Sequence, residues 1–511
     1  MTKEISNNKR IAKNTLMLYV RTFVTLIVSL YTSRIVLKAL GVEDFGIYNV
    51  VGGMVSMLAF VNGALSTATS RFITFELGRK NNTDNLKRIF KTSITIHFLL
   101  AIIVVFIAET IGSYFLNYRL TIPNDKMFSA NVIFQISLIS TFIGIVQAPL
   151  NALIISHEDM KVYAYIGILD VVIKLAIAFI IDQYLDNRLI LYGVLILSST
   201  LINFTIYNIY CYKSYVIYTI GLLYDKSLFR KILSFSLWSL FGSLAYTLKG
   251  QGLNMILNIF QGPIINAAWG VANQVNAAVS SFTQNFTLAL NPQIIKSYAD
   301  NKTSVTTNLL ISGSKFSCYL MLLFAIPIII QAEHILNIWL VDVPNYAVIF
   351  TQLVLINSIL ESYTHTIGAT IQATGNIKKY QVIVGGILLL NMPISYVFLK
   401  LGNEPYFVML ISIVLTVISL IVRTSIISKY LNVSKKYFYT HVFIKPILIG
   451  LTTFFLAIQI SKLVQPVFLH IIITILISSI STIFLIVLIG INTNERLILK
   501  NKLYKVINNK L

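Results

Sequence analysis

Long apolar runs alternate with short polar segments along the whole chain of 511 residues. A helix needs about 20 mostly apolar residues to cross the hydrocarbon core of a bilayer. Fourteen runs reach that length, and they cover residues 14–37, 45–68, 90–115, 130–154, 163–182, 188–210, 232–258, 264–290, 312–332, 346–370, 380–400, 406–427, 443–463 and 467–490. The pattern therefore predicts an all-α polytopic membrane protein with 14 transmembrane helices.

The composition agrees with a bilayer environment. Apolar residues make up 56% of the chain and charged residues 12%, against about 45–50% and 25% in soluble proteins. A soluble fold of this composition would lack the polar cover that its outside needs. The basic N-terminal segment MTKEISNNKRIAKN leads into a run that is too long for a signal-peptide core, so we expect an uncleaved first helix.

The formal net charge of +21 raises the question of a nucleic-acid partner. The charges, however, lie in short segments between the apolar runs. With the N-terminus in the cytoplasm, the inside segments hold 27 Lys and Arg residues, among them Arg71 and Lys296. The outside segments hold six, which are Lys38, Arg119, Lys126, Arg188, Lys400 and Lys462. This asymmetry predicts that both termini are cytoplasmic and that no nucleic acid is bound.

The two cysteines carry no metal or redox signal. Cys211 and Cys318 lie far apart, and neither belongs to a C-x-x-C motif. They say nothing about metal or disulfides, and we expect no cofactor beyond a possible coupling to a proton or sodium gradient.

Two pairs of segments indicate an internal repeat. LGVEDFGIYNVVGG begins at Leu40 and QGPIINAAWGVANQ at Gln261, so that Gly41 aligns with Gly262 at an offset of about 221 residues. The turns SHEDMK (156–161) and TGNIKK (374–379) align at an offset of about 218. The nearly equal offsets indicate two related halves of the chain.

The repeat divides the chain into three parts. Residues 1–225 form an N-lobe of helices 1–6, residues 226–440 a C-lobe of helices 7–12, and residues 441–511 hold helices 13–14 and a basic cytoplasmic tail. Each half has an even number of helices, so we predict parallel lobes related by an axis along the membrane normal. Such lobes usually enclose a central cavity.

Charged residues within the predicted helices are the candidates for function. A charge at the bilayer centre costs at least about 2.5 kcal/mol, and it is tolerated when it faces a wet cavity or a partner. Arg21, Asp170, Lys174, Lys249 and Glu361 lie at such depths.

Several of these residues also have a structural explanation. Asp170 and Lys174 are four residues apart and share a helix face, so they form either a functional pair or a structural ion pair. Arg34, near the outer end of the first helix, either faces the cavity or snorkels to the interface. Arg21 and Lys249 have no obvious partner on their own helices, which favours a functional role.

The signs of the charges favour an anionic cargo. Arg21, Lys174 and Lys249 form a cationic set, with Arg34 at its margin, and guanidinium and ammonium groups bind pyrophosphate or acidic sugars. The eighth helix also carries a row of amides that either joins helices or binds sugar hydroxyls: Asn273, Asn276 and Gln284.

Two blocks of sequence resemble the polysaccharide-flippase (Wzx-like) branch of the multidrug/oligosaccharidyl-lipid/polysaccharide exporter superfamily. The first is NTLMLYVRTFVTLIVSLYTSRIVLKALGVEDFGIYNVVGGMVSML. The second is WSLFGSLAYTLKGQGLNMILNIFQGPIINAAWGVANQVNAAVSSFTQNFTLALNPQIIKSYA. The likeness extends through nearly the whole chain, although the drug-exporter branch typically has an acid in the first helix and this chain has none.

The resemblance implies a flippase that is not an enzyme. It moves undecaprenyl-pyrophosphate-linked oligosaccharide across the bacterial cytoplasmic membrane by alternating access, for surface polysaccharide assembly. Arg21, Lys249 and Lys174 are the implied cargo-binding residues, and Asp170 or Glu361 is a candidate site for a coupling proton or sodium ion. The implied partners are the lipid-linked oligosaccharide, membrane lipids and a polysaccharide polymerase complex.

Two other classes of function remain open. One is a related exporter of a smaller solute, or a flippase for a peptidoglycan precursor. The other is a polytopic polymerase or glycosyltransferase, which generally needs a large outer loop or an acidic catalytic pair. Here every outer loop is short, and the most acidic one holds only Glu43 and Asp44.

Overall fold

The computed structural model describes residues 2–56, 59–79, 83–118, 122–184, 187–219, 221–340, 342–431, 433–461, 467–491 and 496. Within these ranges the chain is helical apart from short turns, and they contain no strand. The helices are α1 (Thr2–Ser56), α2 (Ala59–Arg79), α3 (Thr83–Ile107), α4 (Ser113–Tyr118), α5 (Met127–Ser156), α6 (Met160–Gln183), α7 (Arg188–Ser214), α8 (Lys226–Ala299), α9 (Thr303–Ile330), α10 (Ala332–Trp339), α11 (Ala347–Thr374), α12 (Lys378–Leu389), α13 (Asn391–Lys400), α14 (Phe407–Leu431), α15 (Lys435–Phe438), α16 (Lys445–Ser461) and α17 (Val467–Leu485). Wider π-helical turns at Ala108–Gly112, Tyr439–Ile444 and Ile486–Gly490 connect or extend some of them.

The predicted all-α membrane class is confirmed. Where the structure describes them, the predicted spans are helical apart from single turn residues, and 11 helical stretches of the described chain are long and apolar enough to cross a bilayer. Four parts of the charge tally lie outside the described residues: Lys80, Arg119, Lys462 and the basic tail beyond Arg496.

Large apolar side chains cover the outside of the helices. Phe23, Phe106, Ile259 and Phe484 are each more than 60% exposed, and many others are more than 40% exposed. In water such a surface would drive association, whereas lipid tails solvate it. The exposed surface therefore gives a physical basis for the membrane environment that the composition predicts.

Two glycines break the two longest helices at equivalent places. Gly41 interrupts α1 with φ 76° and ψ 170°, and Gly262 interrupts α8 with φ 75° and ψ −174°. This region of backbone conformation is open essentially to glycine alone. The same conformation occurs at the two positions that the repeat aligns. Each break lies between the first and second predicted spans of its half of the chain.

The start of α8 is capped by an acidic side chain. Asp225 accepts hydrogen bonds from the backbone N–H groups of Ser227 (3.0 Å) and Leu228 (3.1 Å), and it pairs with Arg88. The Leu228 bond and the Arg88 contact lower the pKa of Asp225. Capping and the favourable position at a helix N-terminus explain why α8 begins here.

Spatial clustering divides the chain into two units. Unit 1 comprises Met1–Leu244, Leu288–Lys302 and Gln372–Val382, and unit 2 comprises Ala245–Thr287, Thr303–Ile371 and Ile383–Leu511. Phe90 and Leu153 belong to a core of unit 1, and Leu257 and Phe350 to a core of unit 2. The division into residues 1–225, 226–440 and 441–511 concerns the repeat and stays a prediction.

Some helices extend well beyond their apolar runs. α2 continues to Arg79 and α8 to Ala299, so Arg71 and Lys296 lie on helices rather than in loops. An apolar run marks the part of a helix that lipid can solvate, whereas backbone hydrogen bonding continues into the polar ends. Both residues are consequently in a position to contact neighbouring helices.

Candidate functional site

One face of α6 in unit 1 gathers polar and aromatic side chains. Tyr163, Gly167, Asp170 and Lys174 follow each other at spacings of four, three and four residues, which places them on one stripe of the helix. α6 packs extensively against α1. Arg21 of α1 faces this stripe.

Arg21 is held by an aromatic ring and a glycine. Its guanidinium carbon lies 4.5 Å from the centroid of the Tyr163 ring, in a cation–π contact. A Cβ at Gly167 would lie only 2.4 Å from Arg21 Nε, so the missing side chain makes room for the guanidinium. Arg21 itself is partly exposed. The planar group is therefore oriented by its neighbours and retains access to its surroundings.

Asp170 is the centre of a hydrogen-bonded group. Its carboxylate accepts from Lys174 Nζ (2.8 Å), Asn203 Nδ2 (2.6 Å) and Ser199 Oγ (3.4 Å). The Lys174 side chain is 44% exposed and that of Asp170 28%. The ion pair that the spacing allows is present, and it leaves Lys174 accessible.

Arg34 lies apart from this group. It is on α1, seven residues before the break at Gly41, and it is exposed. Its role as a cargo-binding residue stays a prediction.

In unit 2, a second ion pair joins α8 and α11. Lys249 Nζ lies 2.8 Å from Glu361 Oε1, and Asn357 Nδ2 donates to the same oxygen at 3.1 Å. The Lys249 side chain is 9% exposed and that of Glu361 19%. Asn357 in turn accepts from Thr416 Oγ1 at 2.8 Å. Lys249 thus has its partner on another helix, which spacing along its own helix does not reveal.

The amides of the second part of α8 serve two purposes. Asn276 Oδ1 accepts from Ser280 Oγ (3.0 Å) on its own helix and from Ser358 Oγ (2.6 Å) on α11, so it connects helices. Asn273 donates to the Trp269 carbonyl at 2.9 Å. Gln284 is exposed. Asn276 therefore joins helices, and the binding of sugar hydroxyls by the amide row stays a prediction.

These side chains line a cavity of about 440 Å³ in unit 2. Glu361 also lines an adjoining cavity of about 170 Å³ that includes Lys249. The wall of the larger cavity is rich in amide, hydroxyl and aromatic groups: Tyr246, Gln251, Asn254, Trp269, Asn273, Asn276, Ser280, Thr283, Gln284, Ser358, Glu361, Ser362 and His365. Because Lys249 neutralises Glu361, the wall is polar but close to neutral in charge.

The chemistry of this cavity suits a polyhydroxylated ligand. Amides and hydroxyls donate and accept hydrogen bonds, as sugar hydroxyls do. Trp269 presents an aromatic side chain at the wall, where an apolar ring face contributes contact area. The predicted residues Lys249 and Glu361 meet here. In unit 1, Asp170 pairs with Lys174 on α6, and Arg21 of α1 contacts the same helix at Tyr163 and Gly167.

Several site residues were not singled out from the sequence. Tyr163, Asn203 and Asn357 hold the predicted charges in place, and they look like ordinary helix residues in the sequence. Their signal was available in part, because Asn357 and Glu361 lie four residues apart and so do Tyr163 and Gly167. The contacts across helices had no such signal.

Comparison with known proteins places the fold. The family model described as MatE matches residues 16–180. No curated protein matches the chain.

Solved structures match over most of the chain. An outward-facing multidrug resistance MATE family transporter of the MOP superfamily has 14% identity and a TM-score of 0.73, and the match covers 84% of this chain and 97% of that one. A MATE protein in complex with MaD3S has 14% identity and a TM-score of 0.71, with 83% and 96% covered. A MOP superfamily transporter from Pyrococcus furiosus, whose binding pocket is described as reversed in polarity, has 14% identity and a TM-score of 0.69, with 83% and 97% covered.

These similarities define the fold of the protein. The chain has the fold of the MATE transporters of the MOP superfamily, and its first part carries the MatE sequence pattern. Two of the matched structures are described as transporters. The fold therefore agrees with the superfamily that the resemblance implies.

Proposed function

We propose that this protein is a flippase that moves an undecaprenyl-pyrophosphate-linked oligosaccharide across the cytoplasmic membrane by alternating access. The observation that carries the proposal is the amide-lined, charge-neutral cavity of unit 2. A pocket for hydrophobic drugs would be lined mostly by apolar groups, since burying unpaired amides against an apolar ligand is costly. An oligosaccharide satisfies those amides.

The basic group on α6 supports an anionic lipid carrier. Arg21 is always charged, and its planar group binds phosphate oxygens in a bidentate manner. Tyr163 and Gly167 orient that group before any ligand arrives. Lys174 adds an exposed ammonium group on the same stripe of α6. In this proposal Arg21 binds the pyrophosphate, with Lys174 contributing charge, and Arg34 attracts the headgroup near the outer surface.

A coupling ion acts through one of the two carboxylates in this proposal. Asp170 and Glu361 each pair with a lysine at 2.8 Å. Protonating either carboxylate would release its lysine and change the local charge by one unit. We expect that substituting the carboxylate that carries the ion abolishes the coupling of transport to the ion gradient and leaves cargo binding intact.

A related exporter of a smaller solute is the second candidate. A cavity of about 440 Å³ lies within the range of about 300–1,000 Å³ found for small-molecule sites. Such a protein would transport a soluble glycoside or another polar solute without its lipid carrier. In either case the protein acts in the cytoplasmic membrane with both termini inside, and the flippase would deliver cargo to a polymerase complex.

Two glutamines on α8 provide a matched test of the sugar site. Gln284 lines the cavity, and Gln274 is exposed on the same helix but does not line it. Losing one or two hydrogen bonds of about 0.5–1.5 kcal/mol each should weaken binding roughly 2- to 150-fold. We expect Gln284→Ala to raise the half-saturating concentration of lipid-linked oligosaccharide in a proteoliposome flipping assay, and Gln274→Ala to leave it unchanged. Equal behaviour of the two variants would contradict the assignment of the cavity to the sugar.

A further inference from the structure

Unit 1 contains a buried carboxylate that transport chemistry does not explain. Glu158 lies in the turn between α5 and α6 with φ 66°, and its side chain is 1% exposed. Its carboxylate accepts from Arg10 Nε (2.8 Å), Lys296 Nζ (2.6 Å) and Gln293 Nε2 (2.5 Å). Its backbone carbonyl accepts from Asn14 Nδ2 at 3.1 Å. The charge is therefore fully neutralised and hydrogen-bonded, as a buried charge must be.

A second buried charge in unit 1 contacts the end of another helix. Arg71 of α2 is 7% exposed, and it donates from Nε to the Gln372 carbonyl (3.2 Å) and from Nη2 to the Ala373 carbonyl (3.1 Å). These are carbonyls in the last turn of α11, which carries partial negative charge. Gly375 directly follows the end of α11 and has φ 78°, and a Cβ there would lie 2.5 Å from Arg71 Nη2. The glycine is thus needed both for the turn and for the arginine.

The internal repeat relates these two contacts. Arg71 and Gln293 are 222 residues apart, and Glu158 and Asn376 are 218 apart, close to the offsets of the aligned segments. In both contacts, the second helix of one half of the sequence reaches the turn between the fourth and fifth helices of the other half. The chemistry differs, because one contact is an ion cluster and the other is a charge–dipole cap.

We propose that the Glu158 cluster and the Arg71 cap form a paired latch, which holds the helix ends on the N-terminal side of the membrane together and opens once in each transport cycle. The inference rests on the alternating access of the proposed function but not on the identity of the cargo. Opening the latch separates Glu158 from Gln293 and Lys296, and Arg71 from the end of α11. Each of these groups then exchanges its protein partners for water.

The retained partners explain why such a latch is reversible. When α8 moves away, Glu158 keeps Arg10 as its counter-charge, since Arg10 belongs to α1 and its side chain is 47% exposed. Arg71 keeps contact with the rings of Phe72 and Phe75 on its own helix, at 4.8 and 4.5 Å. Neither charge is left without a partner in the open state. The open and closed states therefore differ by a few contacts, as a two-state element requires.

Site-specific labelling tests the latch without any cargo. In a background with Cys211→Ala and Cys318→Ala, Thr74→Cys places a thiol at a fully buried position one turn from Arg71. We expect Glu158→Gln, which removes the charge at constant shape, to raise the labelling rate from the N-terminal side by about tenfold or more. Arg71→Lys should raise the labelling rate in the same way, because a lysine lacks the guanidinium that donates to both carbonyls. Glu109→Gln is the matched control and should leave the rate unchanged, because the Glu109 carboxylate accepts from Gln135 and takes part in neither latch contact.

A second reporter separates opening from unfolding. Ala277→Cys lines the cavity of unit 2, and we expect Glu158→Gln to lower its labelling from the opposite side of the membrane. Increased labelling at both positions would mean that the variant merely loosens the protein, and it would overturn the proposal. Unchanged labelling of Thr74→Cys in both latch variants would overturn it as well. A responsive latch in a protein that does not flip oligosaccharide would instead contradict only the cargo.

Discussion

At the scale of single residues, the structure shows charges that are held in place rather than free. Lys249 is paired with Glu361 and Lys174 with Asp170, while Arg21 rests against Tyr163. A buried pair offers little net stability, because desolvation offsets much of the attraction. The neutrality of the pair matters more than its stability, because the Lys249–Glu361 pair leaves the wall of the unit 2 cavity close to neutral in charge.

The contact between Gly167 and Arg21 gives a prediction that leaves the arginine itself intact. We expect Gly167→Ala to displace the guanidinium from Tyr163, because the added Cβ would lie 2.4 Å from Arg21 Nε. The far part of a flexible side chain gives way easily, so the melting temperature should change little. The flipping rate should fall about tenfold or more, as it should in Arg21→Ala. The rate is measured in proteoliposomes, and Gly144→Ala, where the nearest atom would be 3.8 Å away, is the control. A Gly167→Ala variant that transports normally would show that the position of Arg21 is unimportant.

The Lys249–Glu361 pair predicts a non-additive double variant. Removing one partner leaves the other charge buried, so Lys249→Met should reduce the free energy of unfolding by about 3–5 kcal/mol. Lys249→Met combined with Glu361→Gln should recover most of that loss, because no unpaired charge remains. Thermal unfolding in detergent measures both effects. If the double variant were no more stable than Lys249→Met, the pair would not be the relevant interaction.

At the scale of helices, the two glycine breaks set where one span ends and the next begins. Gly41 and Gly262 share a conformation that a Cβ disfavours, and neither has a neighbour within 4 Å of an added Cβ. The cost of substitution is thus conformational and not steric. These breaks are the clearest structural trace of the repeat.

The glycine breaks predict two costly substitutions and one harmless one. Gly41→Ala and Gly262→Ala should each lower the free energy of unfolding by about 1–3 kcal/mol, because they force a side chain into a sparsely populated region. Gly46→Ala should be neutral or slightly stabilising, since Gly46 lies in a helical stretch with open space around it. The measurement is the melting temperature of each variant in the same detergent. Equal effects at Gly41 and Gly46 would argue against the conformational explanation.

At the scale of the whole molecule, the sequence predicts the helical membrane class well because lipid imposes a simple rule. A span needs an apolar length, and its flanks carry the orienting charges. Gly41 and Gly262 were aligned from the sequence, and both take the positive φ that such a repeat would share. The local pair of Asp170 and Lys174 was visible because helical spacing alone brings the two residues together.

Contacts between distant helices were not visible in this way. Lys249 and Glu361 are 112 residues apart, and Glu158 and Lys296 are 138 apart. Arg71 was counted among the loop charges because the apolar run ends before it, although its helix continues to Arg79. Sequence patterns report which face of a helix is polar, whereas tertiary packing decides which residue that face meets.

The most direct measurement is transport by the purified protein in proteoliposomes that contain a fluorescent undecaprenyl-pyrophosphate-linked oligosaccharide. Quenching from outside reports how much of the lipid has changed leaflet. The proposed function predicts protein-dependent flipping that Arg21→Ala slows about tenfold or more, and that a soluble oligosaccharide pyrophosphate without the lipid slows by competition. If the protein leaves the lipid in its original leaflet while it exports a small polar solute, the flippase proposal is wrong and the smaller-solute exporter replaces it.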